Sequence, residues 1–238
     1  MNPVLRAYAS IGGRQLHYRY SGDPSSPALV LLHQSPSTSA MYEKLMSVLA
    51  DRYFLVAPDN PGFGGSDPLE PGFGVKDLAA VVVGLMDELA LATCYVFGHH
   101  SGAAVAVQLA TDQPSRCEAL ALSGPPLLTE QQRRDLPGSV SPFPMEAGGG
   151  HLVEMWERIR AKDTGAPLPL IQREVLSALA SEDNYQGTYR AVCEQDFGAL
   201  LPDLQCPVLV FAGDQDPLRG GVEPSLAKLR YGLSLIHI

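Results

Sequence analysis

The sequence predicts an α/β fold: a mainly parallel sheet with helices on both faces and a helical insertion late in the chain. Three observations predict it. Short continuous apolar runs such as "ALVLLHQ" and "YFLVAPD" read as strands buried on both faces. Segments of helical spacing separate these runs, and strands interleaved with helices imply right-handed crossovers in a parallel sheet. The alternation then stops between Gly124 and Cys206, where amphipathic helical patterns and loops take over.

The elements follow in order. Alternation in "RQLHYRYSG" predicts antiparallel strands around a turn at Gly12 and Gly13. Ala28 to Gln34 is a buried strand, after which Ser37, Thr38 or Ser39 caps a helix running to about Asp51. The strand ending at Asp59 enters the glycine-rich turn "PDNPGFGGSD". Apolar residues at Val75, Leu78, Ala79, Val82, Leu85, Met86 and Leu89 then fit a helix. "CYVFG" is a strand, Ser101 to Asp112 a helix stopped by Pro114, and "EALALSG" and "PVLVFAG" are further strands. Between the last two, "PFPMEAGGG" reads as a loop, "HLVEMWERIRAK" and "LIQREVLSALAS" as helices, with a third helix around Tyr185 to Glu194.

These elements divide the chain into a core over residues 1–124, a helical cap over 125–205 and the remainder of the core over 206–232. Ligands in open α/β sheets bind at the carboxyl edge, which an insertion leaving that edge can cover. The cap is therefore a candidate lid with hinges at Gly148 to Gly150; a decorative or dimer-forming insertion is the other reading.

The chain of 238 residues is long enough for one sizeable core. A net charge of −9 argues against a nucleic-acid partner, which calls for a basic patch. Cys94, Cys117, Cys193 and Cys206 form no CxxC pair and sit mostly in apolar runs, as buried free thiols do in a reducing compartment. Neither a signal pattern nor an apolar run of the roughly 18 residues that cross a membrane is present. The expected location is the cytoplasm, with no membrane partner. No GxGxxG opens a helix, so no dinucleotide cofactor is expected. His33, His99 and His100 lack ligand spacing, so no metal is expected. Oligomeric state is not legible.

The stretches "HQSP", "PDNPGFGGSD", "FGHHSGAAVA" and "LVFAGDQDP", with the helical insertion before the last, carry a resemblance. In order and spacing the chain resembles a capped α/β-hydrolase, the group of esterases, epoxide hydrolases and haloalkane dehalogenases. The resemblance covers Ala28 to about Arg230. It implies a small-molecule substrate and a nucleophile held in a strained strand-to-helix turn between glycines.

Here the chain departs from the pattern. The frame Gly98-His99-His100-Ser101-Gly102 alone puts glycine on both sides, so His100 takes the elbow and Ser101 becomes the first helical residue. Imidazole can attack an acyl group or take a proton near neutral pH. Centring on Ser101 instead leaves His99 where a small residue is required. His100 and Ser101 thus both stand as candidates for the reactive group, while His99 reads as packing. The resemblance implies oxyanion donors at the Ser101 and Ser35 amides after His33, with Gln34 where the family has glycine. Asp216, three places beyond Gly213, matches the family's acid; Asp214 braces the loop. His151 and Trp156, at the start of a cap helix, are candidates for the pocket or for packing.

The family's catalytic histidine follows one more strand. His237 has no such context and takes no triad role. The tail "LSLIHI" looks like translated adaptor sequence of the kind that closes truncated metagenomic reading frames. On that expectation residues 233–238 are not native, and the final strand, triad histidine and terminal helix are missing. The resulting expectation is a hydrolase acting on a small, largely apolar ester-like substrate, with His100 and Asp216 at its centre, although a truncated chain can be inactive. A lyase or isomerase using His100 as base, and a non-catalytic small-molecule receptor, are the alternatives.

Overall fold

The computed structural model describes residues 2–139 and 144–234. The eight strands are β1 (Leu5–Ile11), β2 (Arg14–Ser21), β3 (Ala28–Leu32), β4 (Phe54–Pro58), β5 (Cys94–His99), β6 (Cys117–Ser123), β7 (Val208–Phe211) and β8 (Gly232–Ser234). They form one sheet in the order β1-β2-β4-β3-β5-β6-β7-β8. The first hairpin pairs antiparallel around Gly12 and Gly13, and every pairing from β4 to β8 is parallel. Each parallel crossover needs a connection that returns along a face of the sheet, and the helices supply it.

β3 and β4 are buried along almost their whole length, as their uninterrupted apolar sequence requires. Helices α1 (Glu43–Leu49), α2 (Val75–Glu88) and α3 (Ser101–Asp112) flank the sheet. A short 3₁₀ turn, Ser39–Tyr42, precedes α1, and Thr38 is its cap: Thr38 Oγ1 accepts the Ala40 amide at 3.3 Å. α3 is buried from Ser101 to Ala110, and its small side chains let the backbone approach β5 and β6 closely.

Between β6 and β7 lie α4 (Glu130–Ser139), α5 (Gly150–Lys162), α6 (Leu168–Ala180), α7 (Asp183–Glu194) and α8 (Phe197–Leu200). α5 to α7 follow the sequence expectation; α4, made of a polar run that ends in Pro137 and Gly138, was not legible in it. α5 and α6 bury a small core of their own, Met155, Ile159, Ile171, Val175 and Ala178. The insertion is also tied to the sheet domain. Arg173 donates to the Ala40 carbonyl at 3.1 Å, and Gln195 donates to the Ala104 carbonyl at 3.2 Å.

After β7 a short helix, α9 (Val222–Leu226), leads to β8, which pairs Val208 with Gly232 and Leu209 with Leu233. The sheet therefore extends one strand beyond the "PVLVFAG" strand where the sequence reading ended it, into residues assigned to a non-native tail. The first two residues of the "PFPMEAGGG" loop, residues 235–238 of the tail and with them His237 lie outside the described residues. None of the described helices is long and apolar enough to cross a membrane.

Candidate active site

The carboxyl ends of β3, β5, β6 and β7 converge on one constellation. β5 ends at His99, α3 starts at Ser101, and His100 between them has φ 50° and ψ −112°, outside the regions a side chain ordinarily adopts. Its amide donates to the Ser123 carbonyl at 2.9 Å, and its carbonyl accepts the Ala103 amide at 2.8 Å. A tight strand-to-helix turn is closed on both sides by backbone bonds.

The two glycines of this turn have no room for a side chain. A Cβ on Gly98 would lie 2.4 Å from the Gly102 carbonyl oxygen, and one on Gly102 would lie 2.1 Å from that of Leu32. The frame centred on His100 is thus the one the packing permits, since centring on Ser101 would put the His99 side chain in Gly98's place.

The His100 ring meets the loop after β7. Its Nε2 lies 3.0 and 2.9 Å from the two carboxylate oxygens of Asp216. Burial alone would raise the Asp216 pKa. Hydrogen bonds from His100 and from the Leu218 amide, with the neighbouring imidazoles, outweigh it and hold the carboxyl below its usual range. An ionised carboxylate only accepts, so Nε2–H donates, and in the neutral ring Nδ1 then carries the lone pair. The His100 side chain keeps 22% of its surface exposed and that of Asp216 10%, so the pair is reachable from solvent. Asp214 stays outside, paired with Arg219 at 3.3 Å on the surface, and braces the loop.

Ser101 is buried, and its hydroxyl donates to Ser35 Oγ at 3.2 Å. No base lies within hydrogen-bonding distance of it among the described residues. The bond instead joins the start of α3 to the loop after β3, the two backbone segments that hold the Ser101 and Ser35 amides. Buried His33 fixes that loop: its Nε2 accepts the Asn60 amide at 2.8 Å, so its Nδ1–H donates to the Gln34 carbonyl at 2.7 Å.

Two residues of the insertion were read in the sequence as candidates for the pocket or for packing. His151 Nδ1 accepts the Glu146 amide at 3.2 Å inside the insertion, and Trp156 packs on the α5–α6 core.

Three neighbours were missed. His99, read as packing, stacks on His100 with ring centroids 4.1 Å apart, and its Nδ1 lies 3.1 Å from Ser123 Oγ. Burial, with His100 adding to it, pushes the His99 pKa down to about 4. Gly124 has φ +58°, and a Cβ there would lie 2.4 Å from the His100 ring and 2.7 Å from an Asp216 oxygen. A partial signal for Ser123 and Gly124 was available: both end the strand read from "EALALSG", which the structure pairs with β5.

Asp59 anchors the far side of the site. Its Oδ1 accepts the Ser39 amide at 2.7 Å and the Ser39 hydroxyl, while Oδ2 accepts His17 Nδ1–H at 2.7 Å and the Gly65 amide at 3.0 Å. Buried Arg19 joins through Ser39 Oγ at 2.7 Å. Burial raises the Asp59 pKa, but His17, His33, Ser39 and Gly65 together outweigh it and hold the carboxyl well below its usual range.

Sheet order, elbow and acid loop together define an α/β-hydrolase. Residues 27–219 match the α/β hydrolase fold family, and the chain belongs to it. A curated relative, 2-(acetamidomethylene)succinate hydrolase of Mesorhizobium japonicum, is 36% identical over 104 residues, 44% of this chain and 37% of that protein. A soluble epoxide hydrolase of Corynebacterium sp. is 33% identical over 117 residues, 49% of this chain and 40% of that protein. The chain thus spans less than half the length of these relatives. A solved hydrolase from Pseudomonas aeruginosa superimposes with TM-score 0.80 at 22% identity, covering 98% of this chain and 89% of that chain. A 2-hydroxy-6-oxo-6-phenylhexa-2,4-dienoate hydrolase from Rhodococcus sp. gives 0.78 at 22% identity, covering 99% and 91%. At these identities the structural likeness is one of fold.

Proposed function

We propose that the protein hydrolyses a small, largely apolar ester-like substrate, with His100 acting as a general base oriented by Asp216. The observation that carries this reading is the hydrogen bonding of His100 Nε2 to both Asp216 oxygens at 2.9 and 3.0 Å. In a serine triad the acid fixes the tautomer of a histidine that serves a hydroxyl. Here the acid holds the elbow residue itself, which leaves Nδ1 to take the proton.

Nδ1 adjoins the ring carbon that bears Cβ, so a bulky electrophile approaches it less easily than a water does. That steric bias favours proton transfer over a covalent acyl-imidazole. In the proposed step Nδ1 accepts a proton from water, the hydroxide adds to the substrate carbonyl, and the oxyanion points toward the Ser101 and Ser35 amides. Asp216 stabilises the imidazolium, which returns its proton to the leaving group. Hydrolysis as the reaction class is supported by the relatives, whose names describe hydrolases of several substrate types. The helices between β6 and β7 serve in this account as the cap over the site.

The same orientation of His100 supports a second reading, abstraction of a carbon-bound proton in a lyase or isomerase reaction. The test is turnover of short p-nitrophenyl esters and lactones in ¹⁸O-water, with intact-mass spectra of the protein during turnover. General-base hydrolysis puts one ¹⁸O in the acid product of a single turnover and leaves the protein mass unchanged. An acylated protein overturns the base role in favour of a nucleophile, and saturable binding without conversion overturns catalysis in favour of a receptor.

A further inference from the structure

We propose that His99, His100 and Asp216 also form a binding site for one divalent transition-metal ion of the zinc class, which competes with the proton shared by His100 and Asp216. One donor atom from each of the three lies within 4.8 Å of the other two. Two imidazoles and a carboxylate are the borderline-soft donor set that suits zinc, cobalt and nickel over magnesium or calcium. Three protein donors with an open fourth position are the pattern of exchangeable zinc sites rather than closed structural ones.

The required movements are small. Zinc bonds of about 2.0–2.2 Å in a tetrahedron separate donors by roughly 3.4 Å. The His100 and Asp216 donors, now 2.9 Å apart, must open by a few tenths of an ångström. The most distant pair, within 4.8 Å, must close by at most about 1.4 Å, within reach of a side-chain rotation.

Two of the three donors are already oriented by a neighbour, the arrangement that raises metal affinity. Ser123 Oγ holds the His99 ring at 3.1 Å, and the Leu218 amide holds Asp216 Oδ1 at 2.8 Å. The two rings lie against each other, with planes 32° apart and centroids 4.1 Å apart. Nearby α3 presents its N-terminus, which opposes a cation, and the Asp216 carboxylate supplies the compensating charge.

When the ion binds, the neutral His100 ring changes tautomer: Nε2 gives its proton to solvent, Nδ1 takes one from solvent, and the lone pair freed on Nε2 forms the metal bond. The ring then carries its single proton on Nδ1, where it no longer serves as a base. Zinc should therefore inhibit hydrolysis. That consequence rests on the proposed base role, whereas binding itself does not.

The test is titration of the chelator-treated protein with cobalt(II), read by its visible absorption, followed by displacement with zinc. The expected result is one tightly bound ion per chain, at least tenfold weaker binding in His99→Gln and Asp216→Asn, and no change in His151→Ala. Ser123→Ala should weaken binding about tenfold with the ligands intact, which keeps the test open if a ligand variant fails to fold. Absence of a single saturable site, or binding untouched in folded His99→Gln and Ser123→Ala, overturns the site. Cobalt or zinc bound at this site without inhibition of a measurable turnover overturns the competition alone.

Discussion

Replacing Gly102 with alanine probes the elbow at the point where the structure leaves least space. The added Cβ would lie 2.1 Å from the Leu32 carbonyl oxygen, 2.6 Å from its carbon and 2.9 Å from the His33 carbonyl oxygen. All three are backbone atoms at the end of β3, so no side chain can swing away. Either α3 lifts from the sheet or the loop after β3 moves, against a closely packed interior. Overpacking of this kind costs about 3 kcal/mol, which in a domain of this size lowers Tm by roughly 6–12 °C. The same shift displaces the Ser35 and Ser101 amides, so turnover should fall as well. Gly213→Ala is the control: its Cβ meets nothing within 4 Å, and Tm should stay within about 2 °C. Differential scanning fluorimetry reads both variants. A Gly102→Ala protein melting within 2 °C of the parent (roughly 1 kcal/mol or less) would refute the packing argument and with it the reason for centring the elbow on His100.

Two further outcomes follow from the hydrogen bonds. Asp216→Asn keeps an acceptor for the Leu218 amide, so Tm should hold within about 3 °C, while the loss of the ionised partner of His100 should lower kcat by about 10³–10⁴. Asp59→Asn places an amide where two backbone amides and His17 donate, and should destabilise the fold by about 3–5 kcal/mol. Because the Asp59 pKa is depressed in the folded state, its contribution is complete above the unfolded value of about 3.9 and is lost as pH falls toward the folded value. Thermal melts between pH 3 and pH 7 should therefore show the parent losing stability more steeply below about pH 4 than Asp59→Asn does; parallel curves would contradict this.

The sheet was legible because its strands are either evenly alternating or uninterruptedly apolar, and each parallel pairing needs a helix of which the spacing survives in the sequence. The run of Val75 to Leu89 is the clearest case, and it became α2. Where polar segments fold on others' surfaces the pattern is weak. Helix α4 has little apolar periodicity and gains its place by contacts such as Arg133 to the Cys193 carbonyl at 2.7 Å. At the site, the elbow frame was legible from the two glycines, and Asp216 from its place after β7. The direct bond between His100 and Asp216 was not, since the expected partner of the acid was a histidine after a further strand. His99 was read as packing, and its stacking on His100 was not legible because it depends on the turn geometry of its neighbour. Asp59 was seen only as a flank of a glycine-rich turn, since its partners Ser39 and His17 come from segments 20 and 42 residues away.

The most direct test of the account compares turnover of His100→Ala and Ser101→Ala, both checked for an unchanged fold, on the ester or lactone the parent hydrolyses fastest. The account predicts that His100→Ala loses about 10²–10⁴ in kcat while Ser101→Ala keeps activity within about tenfold, since its amide remains and its hydroxyl bonds Ser35, with no base in reach among the described residues. Full activity in His100→Ala together with an inactive Ser101→Ala would contradict it and move the chemistry to the serine hydroxyl.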